Sequence, residues 1–256
     1  MAIDQELPRN PYKNNDLSLL KVILLIFIPT TVLTSIYLLV GYAHTTIPSV
    51  ILFFLLAMLF LFPVEIAIVL RASKKEFGSY SFRSAFVNQG KAGWKRTLII
   101  GLLLFGFAGI MSITLGPLEK SLTASLSAKL AAVLPAYFDW TNLDHFRQYS
   151  GVSLLLMSTV YLILNGFVGP IVEELFFRGY LTSKLSRYGK VAPVIVTVLF
   201  SLYHFWLPFQ NLFRISVFLP AAYLTWKEKN IYIGMVFHCI SNIFTVISFL
   251  VALYAV

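Results

Sequence analysis

Long apolar runs separated by short polar connections dominate the chain. They are read as seven candidate spans, at about residues 18–43, 48–70, 97–116, 152–177, 191–208, 211–226 and 231–254. A helix needs roughly 17–25 such residues to cross a hydrocarbon core about 30 Å thick. The pattern therefore predicts an all-α fold, a polytopic transmembrane helical bundle of about seven spans. The first run follows a polar N-terminal tail at 1–17 and is too long for a cleaved signal, so it reads as a retained anchor.

One polar connection has its own periodicity. Within 117–150, Leu122, Leu126, Leu130 and Leu134 recur every four residues, with polar residues between them. That spacing predicts an interfacial amphipathic helix. No internal repeat or low-complexity tract divides the chain, so residues 1–256 are read as a single membrane-embedded domain.

Composition agrees with this class. Hydrophobic residues make up 58% and charged residues 12%, too little polar surface for a soluble domain of this length. The net charge of +9 is not a nucleic-acid signal, because the basic residues cluster in a few connections. Arg71, Lys74, Lys75, Arg83, Lys91, Lys95 and Arg96 follow the second span. Lys184, Arg187 and Lys190 follow the fourth, and Lys227 and Lys229 precede the last. The positive-inside rule then sets the N-terminus and these segments in the cytoplasm and the C-terminus outside, in a plasma membrane if the source is prokaryotic. The single cysteine, Cys239, allows no intramolecular disulfide and reads as a small buried hydrophobe.

Ionisable residues within the apolar runs are few: Lys21, Glu65, Glu173, Glu174, His204, Arg214 and His238, with Arg178 at a boundary. Lys21 and Arg214 lie near span ends and are expected to snorkel to water. Glu65 follows Pro63, belongs to no motif and is read as structural. The others have complementary chemistry. Glu174 and Arg178 are four residues apart and can pair along a helix, while Glu173 is turned about 100° away and can face the bundle. A carboxylate in a low-dielectric pocket suits a general base. His204, His238 and Asn242 lie on later spans, and depths of roughly 12–22 Å from the basic boundaries allow Glu173 and both histidines to meet.

Three short patterns carry a resemblance. Glu173-Glu174-x-x-x-Arg178, Phe200-x-x-x-His204 and His238-x-x-x-Asn242, in this order on successive helices, resemble the motifs of the CPBP family of intramembrane proteases. That family includes the type II CAAX prenyl proteases and bacteriocin-processing and immunity-related enzymes, and the similar region is about 150–250. The resemblance implies that Glu173 and His204 activate a water while His238 and Asn242 stabilise the oxyanion. It gives Glu174 and Arg178 an orienting role and packs Phe200 beside the site. Where members often carry glycines before the third motif, this chain has Ala221 and Ala222 after Pro220.

The expected function is an intramembrane endopeptidase acting on a membrane-associated peptide or protein substrate, prenylated or not, with the lipid bilayer as its other partner. Glu173, His204 and His238 would also make an acceptable ligand set for a divalent metal such as zinc. The preferred reading is metal-free, with no cofactor. A transporter or proton relay is the competing class, since intramembrane carboxylates and histidines also build such paths. A non-catalytic scaffold of the same family is the third. No inverted repeat favours the transporter, and no motif residue is missing as a scaffold would suggest.

Overall fold

A computed structural model of the chain describes residues 16–43, 46–87, 89–90 and 93–255. Most of the polar N-terminal tail, Lys91 and the last residue lie outside the described residues. Seven main helices run in chain order: α1 Leu19–Ala43, α2 Ser49–Phe77, α3 Trp94–Ala131, α4 Gly151–Lys184, α5 Ala192–Leu202, α6 Asn211–Lys227 and α7 Ile231–Tyr254. The first four and α7 are long and apolar enough to cross a membrane. The fold is a polytopic helical bundle.

Two sequence expectations change in detail. The fifth span forms a helix shorter than a crossing requires, and the sixth lies at the lower limit. The 11 residues of α5 and the 17 of α6 reach only about 16 Å and 25 Å at 1.5 Å per residue. The leucine-spaced segment, in turn, is not a separate interfacial helix over its first half. α3 continues unbroken through Pro117 to Ala131, and Leu122, Leu126 and Leu130 are exposed along that extension. An internal proline tilts a helix without ending it where the neighbouring turns stay satisfied, which periodicity cannot show.

Prolines also widen the ladder elsewhere. In α2 the π-helical turn Ala57–Leu61 closes with Phe62 N–H on the Ala57 carbonyl, just before Pro63. In α4 the turn Leu164–Val168 closes with Gly169 N–H on the Leu164 carbonyl, just before Pro170. Each proline lacks the N–H that the next rung needs, so the ladder re-registers there. A third π-helical stretch, Glu174–Leu181, has no proline in it.

The basic connections gather at one end of the bundle. Leu17 N–H donates to the Lys184 carbonyl at 3.0 Å, and Gly90 N–H donates to the Lys229 carbonyl at 2.7 Å. Lys184 pairs with Glu76 at 2.5 Å and Arg96 with Glu228 at 2.7 Å. At the opposite end, Arg147 donates to the carbonyls of Leu253 and Ala252. There too Glu119 of α3 is buried and accepts from Leu212 and Phe213 N–H at 2.7 and 2.8 Å. A carboxylate at the start of α6 satisfies two orphan donors and complements the helix dipole.

Because α5 stops at Leu202, residues 203–210 run as irregular, mostly half-buried backbone. Such backbone survives at membrane depth only where protein groups satisfy it. Thr30 Oγ1 of α1 donates to the Tyr203 carbonyl at 2.8 Å. Arg214 donates to the carbonyls of Ser201 and Leu207, and Asn211 Nδ2 to that of Pro208. Arg214 thus does not snorkel: it is buried and holds this loop.

Candidate active site

Glu173 ends an α-helical stretch of α4 and Glu174 begins a π-helical one, and together they present two adjacent carboxylates to α7. His238 sits between them: Nδ1 lies 3.0 Å from Glu174 Oε1, and Nε2 lies 3.6 Å from Glu173 Oε2. The first contact is a hydrogen bond and the second is too long for one. A carboxylate only accepts, so Nδ1 carries the proton toward Glu174. Glu174 and His238 are buried to 1% and 2% relative exposure, and Glu173 to 7%. The tilt between successive side chains that was expected to separate the two glutamates instead lets both meet one imidazole.

Glu174 Oε1 also pairs with Arg178 Nη1 at 3.2 Å, the expected partner four residues on. The guanidinium carbon lies 4.0 Å from the centre of the Phe200 ring and 5.2 Å from that of Phe218. Neither terminal nitrogen of Arg178 has an aligned hydrogen bond among the described residues, so an ion pair and two aromatic faces hold this cation. Phe200 therefore does more than pack: it is the platform for Arg178. Its carbonyl also lies 2.7 Å from His204 Nδ1.

That carbonyl fixes the tautomer of His204. A carbonyl cannot donate, so Nδ1 bears the hydrogen and Nε2 of the neutral ring is an acceptor. His204 is half-buried, edge-on to Phe200 and Tyr203, and Trp206 packs beside it. On the other flank of Glu173, the buried Tyr203 donates its hydroxyl to Oε1 at 2.9 Å.

Asn242 is half-buried on the same helix as His238, and its Nδ2 donates to the Asn165 carbonyl at 2.9 Å. The cause lies in α4. Gly169 N–H has moved to the Leu164 carbonyl, and the next residue, Pro170, has no N–H for the Asn165 carbonyl. Asn242 supplies the missing donor. Its second amide hydrogen has only Asn165 Oδ1, 3.4 Å away, as a partner among the described residues.

Glu173, Glu174, Arg178, Phe200 and His238 thus form one contiguous cluster, with His204 joined through Phe200 and Asn242 one turn along α7. Tyr203, Asn165 and the buried Glu65 also belong to this neighbourhood, and the sequence reading did not place them there. The phenol beside His204 was the available signal, since a buried tyrosine hydroxyl usually finds a polar partner. Cys239 is half-buried and free. Among the described residues, no group of three or more His, Cys, Asp or Glu side chains is placed to hold a metal ion.

Residues 155–244 match the family model for type II CAAX prenyl endopeptidases described as Rce1-like. Neither the curated proteins nor the solved structures contain a match.

Proposed function

We propose, for a chain that belongs through residues 155–244 to the Rce1-like family of type II CAAX prenyl endopeptidases, a metal-free intramembrane endopeptidase mechanism centred on Glu173. The observation that carries this reading is the asymmetric treatment of two adjacent buried carboxylates. Glu174 is neutralised by Arg178 and bonded to His238. Glu173 receives one phenolic hydrogen bond on Oε1 and keeps Oε2 without a hydrogen bond. One carboxylate is structural and the other is left a lone pair to use.

A water held by Glu173 Oε2 and His204 Nε2 would have both of its hydrogens accepted. Glu173 takes one of them as the oxygen attacks the scissile carbonyl carbon, and later returns it to the leaving amine. His238, its Nδ1–H anchored on Glu174, offers an Nε2–H to the oxyanion when the ring is protonated. The second amide hydrogen of Asn242 is the other donor. Glu174 and Arg178 orient His238 in this scheme rather than Glu173. The substrate is a membrane-associated peptide or protein whose scissile bond reaches the half-buried rim formed by His204 and Asn242. The basic end of the bundle, and with it the N-terminus, faces the cytoplasm.

A cleavage assay of purified protein with a panel of prenylated and unprenylated peptides tests this. Wild type should release a defined product, and Glu173→Gln should abolish turnover with its melting temperature little changed, since an amide cannot take the water's proton. Equal cleavage by both proteins would end the proposal.

A further inference from the structure

Asn165 lies in the π-helical turn Leu164–Val168 of α4, and its backbone carbonyl anchors Asn242. Its side chain meets the same partner: Asn242 Nδ2 is 2.9 Å from that carbonyl and 3.4 Å from Asn165 Oδ1. The backbones are close here as well, since a Cβ on the next residue, Gly166, would sit 3.1 Å from Ile243 Cγ1. Thus α4 and α7 meet twice, at Glu173 and Glu174 with His238 and at Asn165 with Asn242. In a regular helix the path from Asn165 to Glu173 would turn about 800°, about 80° beyond two full turns. The wider turn advances less per residue and works against that excess, so both side chains reach α7.

The two amides fix each other's orientation. A carbonyl only accepts, and Pro170 has no N–H for the Asn165 carbonyl, so Asn242 turns Nδ2 toward it. A donor then faces the Asn165 side chain, which answers with Oδ1. Asn165 Nδ2 is left pointing away from Asn242 with both hydrogens to give. No group accepts from it among the described residues, and it is not one of the sealed polar atoms there that lack a partner, so it is accessible. An unmet amide is costly in hydrocarbon and suits a wet face of the bundle that meets substrate.

We infer that Asn165 is a further catalytic residue: its Nδ2–H donates to the oxyanion, beside the amide of Asn242 and the Nε2–H of His238. This rests on the peptidase reading. Asn242 is anchored by a backbone carbonyl, while Asn165 supplies hydrogens for which no protein group competes. The negative charge that grows on the scissile carbonyl oxygen then meets three donors held by two helices. Neither amide gives up a proton.

The test uses the full chain in detergent, a peptide that wild type cleaves, and a phosphinic analogue of that peptide as a mimic of the tetrahedral intermediate. Asn165→Leu keeps the backbone carbonyl, and so the anchor of Asn242, but removes the donor. It should lower kcat about 10²-fold with KM and melting temperature little changed. Affinity for the phosphinic peptide should fall by a similar factor, because the analogue carries the charged oxygen and the substrate does not. In an Asn242→Ala background, Asn165→Leu should still lower kcat, by less than it does alone. A residue that only oriented Asn242 would cost nothing further there. Wild-type kcat in Asn165→Leu, equal losses of substrate and analogue binding, or no added loss in the Ala background would each overturn the assignment. Asn165→Ala takes the place of the Leu variant should the latter not fold. Cleavage lost in Glu173→Gln but kept in Asn165→Leu sinks this assignment alone, whereas no cleavage by wild type sinks the peptidase reading and this assignment with it.

Discussion

Glu174 Oε1 accepts a hydrogen bond from His238 Nδ1 at 3.0 Å and faces the Arg178 guanidinium at 3.2 Å, with both side chains of the ion pair almost fully buried. Removing one partner of such a pair leaves an uncompensated charge, typically about 3–5 kcal/mol. Arg178→Ala should therefore lower the melting temperature and folded yield, and Glu174→Gln with Arg178→Met should recover much of that stability while activity stays low. Thermal unfolding in detergent checks both. Asn242 carries two loads that separate experimentally. Asn242→Ala orphans the Asn165 carbonyl, worth about 1–3 kcal/mol. It also removes the proposed oxyanion donor, with an expected loss of about 10²–10³ in kcat and a smaller change in KM. A destabilised protein whose kcat per folded molecule is unchanged would leave Asn242 with the structural load alone.

At the scale of elements, the close approach of α7 to α4 depends on a missing side chain. A Cβ on Gly234 would collide with Glu174 Oε2 and come within 3.2 Å of Thr225 Oγ1. Gly234→Ala should push α7 off the carboxylate pair. The expected cost is about 1–3 kcal/mol of overpacking and a fall in kcat, because His238 lies four residues along the same helix. Melting temperature and turnover of the variant test this, and wild-type values in both would show that the interface relaxes freely. The π-helical turns belong to this scale too. Two of them precede a proline and the third begins at Glu174, directly after Glu173, so α4 departs from regular helix beside the site.

For the whole molecule, hydrogen bonds and ion pairs tie residue 17, the 76–96 connection, Lys184 and the 228–230 turn into one end of the bundle. The excess of Lys and Arg there predicts that this end is cytoplasmic. In a Cys239→Ser background, Ser79→Cys should resist a membrane-impermeant thiol reagent added to intact cells, and Ala132→Cys should react. The reverse pattern would invert the topology. Both positions are exposed in the structure, so failure to react reports sidedness rather than burial.

Hydropathy alone determined the helical class and the five long apolar helices among its seven expected spans, because each is a property of runs of residues summed along the chain. The pairing of Glu174 with Arg178 was legible for the same reason, being local to one helix. Three motifs singled out Glu173, His204, His238 and Asn242 as candidates. What the sequence could not decide depends on contacts between helices. α5 reads as a full span because its apolar run continues past Leu202, yet Thr30, Asn211 and Arg214 capture that backbone and stop the helix. Arg214 reads as a snorkelling end residue, since the loop carbonyls that it holds do not adjoin it in sequence. Periodicity placed both glutamates on diverging faces, and only the wider turn of α4 against α7 brought them to one histidine. Spacing along a chain sets which groups share a helix face, whereas the partner that meets that face is chosen by packing among helices far apart in sequence.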